Sequence, residues 1–478
     1  TVNAAVWDQD GINFRPSLSF DGNDNYTHVG GIIGNGDTLH NAFIYTVNSF
    51  DNTGTANTLF QENSSGTDHT FWLIRGSGNG LTFDKGLNAT GSGRVSGTWG
   101  GTATVPYLWQ ATGAENTSTP SGTEKYLSRN NTSLDTEGGT DDCIGLGQDF
   151  YFGSKTNNSA DFNGKVSEVL IYNTILSATE EDQVQSYLAM KYGLTLASMN
   201  YLNSAGTVLW NNSTYSSYHY DIAGIGRDDL SGLHQKQSKS INSDAIVTMS
   251  TEAIGTTNAG ISTSLTDGAY LLWGNNDASS SANSDLPSGY SARTQKEWVV
   301  EMTGTVADVH VEFDITGLGL TATSASELYL LIDADGDFTA SLASETVASS
   351  FSSNKVTFND IDFTDGQYFT LAAKLPSPGG VNSNLWYWIK ADAQAHNSGT
   401  TLATDGQNVD NWYDQSGNAY HTDASGNDPS WDQDAFNFNP GVVFDASNNE
   451  YLKVTSGIFG GDSKTSMTIY AAINATGT

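Results

Sequence analysis

The strongest constraint on the fold of this chain is an internal repeat. Residues 7–22 read WDQDGINFRPSLSFDG and residues 431–446 read WDQDAFNFNPGVVFDA, so nine of sixteen positions are identical at an offset of 424. The match continues, with small gaps, from Ile44-Tyr45 to Ile469-Tyr470. Self-similarity at a fixed period is typical of tandem arrays. This period is far longer than that of a solenoid, so the repeating unit is a set of whole domains. The simplest interpretation is a window cut from a longer array.

The pattern of apolar runs predicts an all-β chain of tandem β-sandwich domains. Gly, Asn and Asp tolerate the positive φ angles of turns, and 51 glycines against 8 prolines favour many short strands joined by turns. VHVEFDI alternates cleanly, with Val309, Val311, Phe313 and Ile315 on one face. Strand spacing predicts a jelly-roll at 1–196, an immunoglobulin-like or jelly-roll spacer at 197–375, a linker at 376–384 and the first part of a second jelly-roll at 385–478.

One short helix is predicted after the first sandwich. Residues 177–193 read SATEEDQVQSYLAMKYG, with Ser177 as N-cap and Glu180 three residues later, which together form a capping box. Val184, Tyr187 and Leu188 follow helical spacing, and Gly193 is a typical C-terminal stop. We expect this helix to pack on the sandwich and lead directly into the next domain.

Several motifs resemble one family of surface repeats. LWYWIKADAQ, VDNWYDQSGNAYHTDA and FNFNPGVVFDASNNEYL resemble the start of a concanavalin A-like (laminin G-like) jelly-roll. DFNGKVSEVLIYNTILSATEEDQVQSYLAMKYGLTL resembles its end, with a trailing helix. The pairing is similar to repeats in giant surface proteins of the Bacteroidetes, including gliding-motility adhesins and type IX secretion substrates. The family includes lectins, hydrolases and inert spacers, so the resemblance implies the fold and leaves the ligand open.

The resemblance also implies that two domains are incomplete. The first lacks a counterpart of the opening strand LWYWIKAD, and the last lacks one of the closing strand KVSEVLIYN. Either the chain is a window on a longer array, or a neighbouring copy completes each half by strand addition. The window is favoured, because regions 7–55 and 431–478 duplicate each other. The expected partners are therefore neighbouring repeats of the same chain or other copies of it.

The net charge argues against nucleic acids and anionic membranes as partners and suggests calcium as a ligand. Lys plus Arg total 19 against 53 Asp plus Glu, a net charge of −34, which repels nucleic acids and anionic membranes. No apolar run long enough to insert into a membrane occurs in the sequence. Acidity keeps a surface protein soluble, and it also supplies oxygen ligands for calcium. The single cysteine, Cys143, excludes an intramolecular disulfide and favours a bacterial exterior, with secretion signals outside this segment.

The candidate calcium site is the segment DADGDF at 333–338. Asp333, Asp335 and Asp337 alternate around Gly336, and three carboxylates this close repel one another unless a hard cation binds them. The motif departs from an EF-hand, because Ser344 stands where a bidentate Glu is required. The alternative is an acidic turn that follows a buried strand.

The sequence lacks the usual catalytic motifs, which predicts that the chain is not an enzyme. Glycosidases place paired acids on one side of the sugar, and the nearest candidates, Glu312 and Asp314, lack a third acid. No GxSxG, HExxH or phosphate-loop pattern occurs.

Sugar binding is the main alternative to a structural role. Aromatic rings stack on sugar faces, and Trp99, in the loop-like segment SGTWGGT, is the best candidate among 11 tryptophans. Trp386, Trp388, Trp412 and Trp431 lie in strand-like motifs that favour a core role. The sequence thus predicts a secreted, extracellular, non-catalytic repeat of a bacterial cell-surface adhesin or filament. A calcium-assisted, lectin-like module that binds surface polysaccharide is the alternative.

Overall fold

The computed structural model describes most of residues 5–475. The parts not described within that range are 24–26, 31, 34–36, 52–56, 66–67, 76–79, 86–93, 115–118, 120–123, 138–142, 145–148, 155–159, 279–280, 283–284, 288, 321, 323, 340–341, 375–376, 382–384, 425–426, 456–457 and 459–465. The chain divides into two compact units: residues 1–285 with 293–372, and residues 286–292 with 373–478.

The first sandwich lies in the first unit and consists of two main antiparallel sheets. One has the order β1-β2-β15-β5-β10-β11-β12 and the other β3-β14-β6-β7-β8-β9, while β4 and β13 form a separate pair. Its strands are β1 (Val6–Ile12), β2 (Arg15–Asp21), β3 (Thr27–Val29), β4 (Thr38–Leu39), β5 (Ala42–Asn48), β6 (Asn57–Ser65), β7 (Asp68–Arg75), β8 (Gly80–Lys85), β9 (Arg94–Thr98), β10 (Tyr107–Gly113), β11 (Lys125–Arg129), β12 (Thr132–Glu137), β13 (Cys143–Ile144), β14 (Phe150–Phe152) and β15 (Asn163–Tyr172).

Alternation along the strands gives the seven-stranded sheet two buried faces. In β5, Ala42 and Ile44 face the core between the two sheets, while Phe43 and Tyr45 face the opposite side. A sheet that is apolar on both faces must be covered on both faces. The outer face therefore requires another element to pack against it.

The covering element is the helix α1 (Ala178–Tyr192). Ser177 and Glu180 form the predicted capping box, and Gly193 ends the helix in the left-handed conformation, with φ 67°. Among the described residues α1 is the one α-helix. The predicted fold class, tandem β-sandwiches with one short helix after the first sandwich, is confirmed.

The middle sandwich follows α1 within the same unit. One sheet has the order β19-β18-β22-β25-β31-β24-β23, with β27 and β28 attached through β31, and the second has the order β20-β21-β26-β30-β29. Its strands are β16 (Tyr201–Leu202), β17 (Val208–Trp210), β18 (Tyr220–Asp228), β19 (Leu233–Gln235), β20 (Gln237–Lys239), β21 (Val247–Ser250), β22 (Tyr270–Asn275), β23 (Ser281–Ala282), β24 (Ala292–Thr294), β25 (Trp298–Thr303), β26 (Val309–Asp314), β27 (Leu328–Asp333), β28 (Ser344–Val347), β29 (Ser350–Ser352), β30 (Lys355–Ile361) and β31 (Tyr368–Ala373).

The second unit holds a smaller core. Its main sheet has the order β33-β32-β34-β35-β38, and β36 pairs with β37 as a hairpin. Ala395, Ala403 and Val409 form the buried centre. Of the predicted linker 376–384, residues 377–381 are described, and the predicted domain boundaries stay predictions. The strands are β32 (Ala395–Ser398), β33 (Thr401–Leu402), β34 (Asn411–Trp412), β35 (Thr422–Ala424), β36 (Ser430–Phe436), β37 (Asn439–Val443) and β38 (Leu452–Val454).

The internal repeat corresponds to one hairpin that is built twice. In β1–β2, Trp7 pairs with Leu18 and Ile12 with Arg15; in β36–β37 the residues 424 positions later, Trp431 with Val442 and Phe436 with Asn439, pair identically. Both turns consist of an Asn-Phe pair with positive φ at both residues, which is the geometry of a type I′ hairpin turn. The repeated sequence therefore encodes a repeated backbone.

Candidate functional site

The hairpin tip at Asn13–Arg15 docks on the middle sandwich. The Asn13 side-chain amide donates to the carbonyl oxygen of Lys191, 3.2 Å away, and to Ser238 Oγ, 3.0 Å away. Its Oδ1 accepts the backbone N–H of Lys239 at 2.9 Å. One side chain thus joins the first sandwich, the helix and the middle sandwich. We call this contact region, with α1, the junction.

Arginine and backbone contacts extend the junction on both sides of Asn13. Arg15 Nε donates to Gln235 Oε1 at 2.7 Å, and Arg15 Nη2 donates to the carbonyl oxygen of His234 at 2.6 Å. The backbone N–H of Asn258 donates to the carbonyl oxygen of Phe14 at 2.9 Å. Hydrogen bonds need a specific distance and angle, so these bonds favour one orientation of the first sandwich relative to the middle sandwich.

A continuous apolar core lies under these polar contacts. Leu188 of α1 is 0% exposed and belongs to a cluster that combines residues of the helix and of both sandwiches. The first sandwich contributes Phe43 and Tyr45, and the middle sandwich contributes Trp210 and Leu272. Because the helix is buried against both sandwiches, its apolar residues belong to both cores.

A hydrogen-bonded network of charged and tyrosine side chains lies along one side of α1. Glu168 of β15 accepts hydrogen bonds from Tyr187 and Tyr192 at 3.0 and 2.8 Å, and Lys191 Nζ lies 2.8 Å from Glu168 Oε2. Burial is the main cause that raises the pKa of the two tyrosine hydroxyls, so they stay protonated donors. A cavity of about 360 Å³ beside this network is lined by residues of β15, α1 and the middle sandwich, including Glu168, Tyr187 and Asp228.

A second cavity, of about 340 Å³, lies between the start of α1 and the outer face of β10–β12. Its lining is polar and consists of Gln110, Tyr126, Asn131, Ser133, Thr136, Ala178, Glu181, Asp182 and Gln185. Gln110 Nε2 donates to Glu181 Oε2 at 2.7 Å, and Gln185 Oε1 is buried without a hydrogen-bond partner. We call this cavity the polar groove. Amide, hydroxyl and carboxyl groups in one concave site suit a hydroxyl-rich ligand.

Glu181 gives the polar groove a predicted pH response. Burial raises the pKa of Glu181 from 4.5 to about 7, although the hydrogen bond from Gln110 acts in the opposite direction. The folded state then holds a proton that the unfolded state has lost, so stability falls as pH rises from about 4.5 to about 7. At about 1.4 kcal/mol per pH unit the loss approaches about 3 kcal/mol.

We therefore expect Glu181→Gln to gain stability relative to the natural chain as pH rises. The glutamine has no proton to lose and keeps an oxygen for Gln110. Thermal unfolding of both proteins at pH 5 and pH 8 measures the change in their difference. The exposed Glu137→Gln variant is the control, and an unchanged difference for Glu181→Gln would contradict the prediction.

The predicted calcium ligands are engaged with their own backbone. Asp333 is buried, and its Oδ1 accepts the N–H groups of Asp335 and Gly336 at 2.9 Å each. Asp335 Oδ1 accepts the N–H of Asp337, and Asp337 Oδ1 accepts from Thr339. Within the described residues no group of three or more His, Cys, Asp or Glu side chains is arranged to hold a metal ion. The acidic turn is thus present after the buried strand β27, and calcium binding there stays a prediction.

Trp99 lies in the core of the first sandwich. It follows β9 in a loop segment, as its sequence context indicates, but it is only 3% exposed and its ring meets that of Phe50 edge-on at 6.2 Å. Its backbone oxygen accepts a hydrogen bond from Arg129 at 2.8 Å. The expectation of an exposed sugar platform is corrected here, since a ring packed on this core has no face open for stacking.

Sequence reasoning predicted the helix α1 of the junction, but it missed the hairpin contacts of the junction and the polar groove. Asn13 and Arg15 make hydrogen bonds of the junction, and Glu181 lines the polar groove. None of the three is a site residue that the sequence predicts. One available signal was the Asn-Phe pair at the turn, which is identical in both copies of the repeat at 13–14 and 437–438. Asparagine tolerates the positive φ of this turn, whereas phenylalanine rarely adopts it, so the repeated phenylalanine indicates a role beyond turn formation.

These features define the chain as a tandem β-sandwich protein whose first two sandwiches share a helix. Residues 180–367 match a protein family described as a domain of unknown function, DUF8202. That stretch begins inside α1, ends within the middle sandwich and is less than half of the chain. No curated protein matches the chain.

Solved structures with some similarity contain β-sandwich modules. A heptameric SAP-like pentraxin from Limulus polyphemus is 13% identical, with a TM-score of 0.29, over 36% of this chain and 82% of that one. The CBM40 domain of a Ruminococcus gnavus IT-sialidase, bound to α2,3-sialyllactose, is 13% identical, with a TM-score of 0.25, over 32% and 95%. Domain 4 of a GH43 arabinanase from Geobacillus stearothermophilus, bound to arabinotriose, is 12% identical, with a TM-score of 0.28, over 37% and 78%.

The described part of the chain has no helix that is both long and apolar enough to cross a membrane.

Proposed function

We propose that this chain is a non-catalytic structural repeat of a secreted bacterial cell-surface adhesin or filament. The shared core of α1 is the observation that supports this most directly. A helix whose apolar side chains belong to two sandwiches fixes their orientation, as a stalk requires. The resemblance to gliding-motility adhesins and type IX secretion substrates supports the surface location. Neighbouring repeats of the same chain are the proposed partners.

Distance measurement between the first and middle sandwiches tests rigidity. Spin labels are placed on cysteines at the exposed positions Glu137 and Thr305, in a chain whose Cys143 is replaced by serine. Double electron–electron resonance should give one narrow distance distribution. A broad distribution would show that the two sandwiches move independently and would remove the basis of the proposal.

Chain extension tests the filament role. Small-angle scattering on proteins that contain one, two and three copies of the 424-residue period should show a maximum dimension that grows linearly with copy number. A compact particle, or measurable glycan hydrolysis by the purified chain, would contradict a non-catalytic stalk.

Carbohydrate binding is the second candidate function, and the polar groove supports it. Gln110, Tyr126 and Glu181 place an amide, a phenol and a carboxyl group in one cavity on the first sandwich. A glycan array probed with the natural chain should identify a bound surface polysaccharide, and Tyr126→Ala should abolish its binding. The exposed Glu137→Gln variant, outside the lining, should bind normally. Absence of any bound glycan would leave the groove a structural cavity.

Calcium at Asp333, Asp335 and Asp337 is part of the same proposal. Rotation of the exposed Asp335 and Asp337 side chains would free carboxylate oxygens for a hard cation. Calorimetric titration with Ca²⁺ should give a heat of binding that Asp335→Ala removes. No heat at millimolar calcium would exclude the site.

A further inference from the structure

A buried lysine, aspartate and asparagine meet inside the middle sandwich. Lys296 Nζ lies 3.2 Å from Asp221 Oδ2, and the side-chain amide of Asn275 donates to the same oxygen at 2.7 Å. The side chains of Lys296 and Asp221 are 4% and 5% exposed, and Asn275 is 0% exposed. An amine and a carboxamide are therefore held on one buried carboxylate oxygen.

Strand register explains why these three residues meet. Asn275 ends β22 and pairs with Tyr220 of β18 on one side and with Trp298 of β25 on the other. Lys296 lies two residues before Trp298, in the short connection between β24 and β25, next to the strand that pairs with Asn275. Asp221 lies in a bulge of β18 at φ 50°, and a bulge re-aims the side chain that it carries.

Neighbouring groups hold each member in place. The backbone N–H of Asp277 donates to Asn275 Oδ1 at 2.8 Å, which directs the amide nitrogen towards Asp221. Asn242 Nδ2 donates to Asp221 Oδ1 at 2.8 Å. The Lys296 carbonyl oxygen accepts from the buried Thr370 hydroxyl at 3.1 Å, and Lys296 Nζ also lies 3.1 Å from Asp244 Oδ2.

We propose that Lys296 and Asn275 join in an amide cross-link, with Asp221 as the proton relay. An ion pair alone would explain Lys296 with Asp221. The shared oxygen also holds the carboxamide of Asn275, whose carbonyl accepts a backbone N–H. That donor, the N–H of Asp277, is placed where a tetrahedral intermediate would carry negative charge.

The reaction needs no cofactor or second substrate. Asp221 accepts a proton from the Lys296 ammonium, and the neutral Nζ attacks Cγ of Asn275 to form the Nζ–Cγ bond. The Cγ–Nδ2 bond then breaks. Two of the three original Nζ protons end on the departing nitrogen, one of them relayed by Asp221. Nitrogen leaves as ammonium, Asp221 returns to its carboxylate, and nothing is oxidised or reduced.

The cross-link would tie β22 to the segment before β25. These are adjacent antiparallel strands near the centre of the sheet. The chain has one cysteine and forms no disulfide within itself, so this amide bond would be a covalent tie of another kind. This inference is independent of the stalk function proposed above.

Intact mass spectrometry of the purified natural chain tests the proposal. The mass should be lower than that calculated from the sequence by one ammonia molecule, and peptide mapping should place the branch between Lys296 and Asn275. Lys296→Arg keeps the positive charge and should show its full calculated mass. Asp221→Asn removes the relay and should do the same. Lys355→Arg, at an exposed lysine that pairs with Glu312, is the matched control and should still lose ammonia.

Three results would overturn the assignment. The full calculated mass in the natural chain would show that the three groups form only an ion pair and hydrogen bonds. Loss of ammonia that persists in Lys296→Arg would place the reaction elsewhere. A branch mapped to Asn242, the other amide on Asp221, would exclude Asn275 as the acceptor.

Discussion

Replacing Leu188 by alanine is expected to lower the free energy of unfolding by about 2–5 kcal/mol, the usual cost of a cavity at a fully buried leucine. The effect should reach both sandwiches, because Leu188 packs into a core that Tyr45 and Trp210 share. Hydrogen exchange measured by mass spectrometry should therefore rise in peptides from β5 and from β18 together.

The control for this prediction is Leu230→Ala. Leu230 lies on the middle sandwich and is 84% exposed, so its removal should change stability by less than about 0.5 kcal/mol. Faster exchange in only one sandwich of Leu188→Ala would show that the two cores are separate.

Replacing Gly193 by alanine is expected to disrupt the junction. Gly193 has φ 67°, and a Cβ added there would lie 2.2 Å from the carbonyl oxygen of Lys239 and 3.2 Å from Asn13 Cγ. Backbone must therefore shift where the helix end, the hairpin tip and the middle sandwich meet. We expect the left-handed conformation to cost about 1–2 kcal/mol and the forced shift to add about 1–3 kcal/mol.

Gly232→Ala separates these two contributions. Gly232 has φ 68°, and a Cβ at this position meets no atom within 4 Å. The Gly232→Ala variant therefore has the cost of the left-handed conformation without a steric clash. Urea unfolding of both variants measures the difference, and Gly193→Ala should be the less stable. Equal stability would show that the contact with Lys239 adapts without cost.

The helix was predictable because its signals are local. Ser177 and Glu180 are three residues apart, and Gly193 directly follows the last turn, so the capping box and the stop can be read from adjacent letters. The hairpin of β1 and β2 was not predicted, because its turn is an Asn-Phe pair and not one of the glycine-containing pairs that usually mark such turns. Elements fixed by neighbours in sequence are those that sequence patterns describe best.

The junction could not be read from the sequence, since its partners are remote. Asn13 contacts Ser238 and Lys239, more than 200 positions later, and no spacing rule connects them. The same holds for Asp221, Asn275 and Lys296, which meet only through strand register. Trp99 shows the opposite problem. Its glycine-rich surroundings indicate a loop, while its burial depends on Phe50, a distant residue that a local pattern does not include.

Matched residues of the two copies also differ in burial. Ile44 and Tyr45 are fully buried in β5, between β10 and β15, whereas their counterparts Ile469 and Tyr470 are exposed. In the described part of the second unit no strands flank residues 469–470 as β10 and β15 flank β5. Local sequence thus specifies a strand's character, and its partners decide whether that strand forms.

The docked hairpin has a consequence for how such a chain can lengthen. The tip at Asn13–Arg15 and the surface that receives it, from His234 to Asn258, are encoded within one stretch shorter than the 424-residue period. A gene duplication that copies one period therefore copies both halves of the contact, already matched. The second tip, with Phe438 89% exposed, has the same backbone and the same Asn-Phe turn as the first. Growth by duplication then starts from an existing contact, and substitutions such as Asn439 in place of Arg15 can adjust it afterwards.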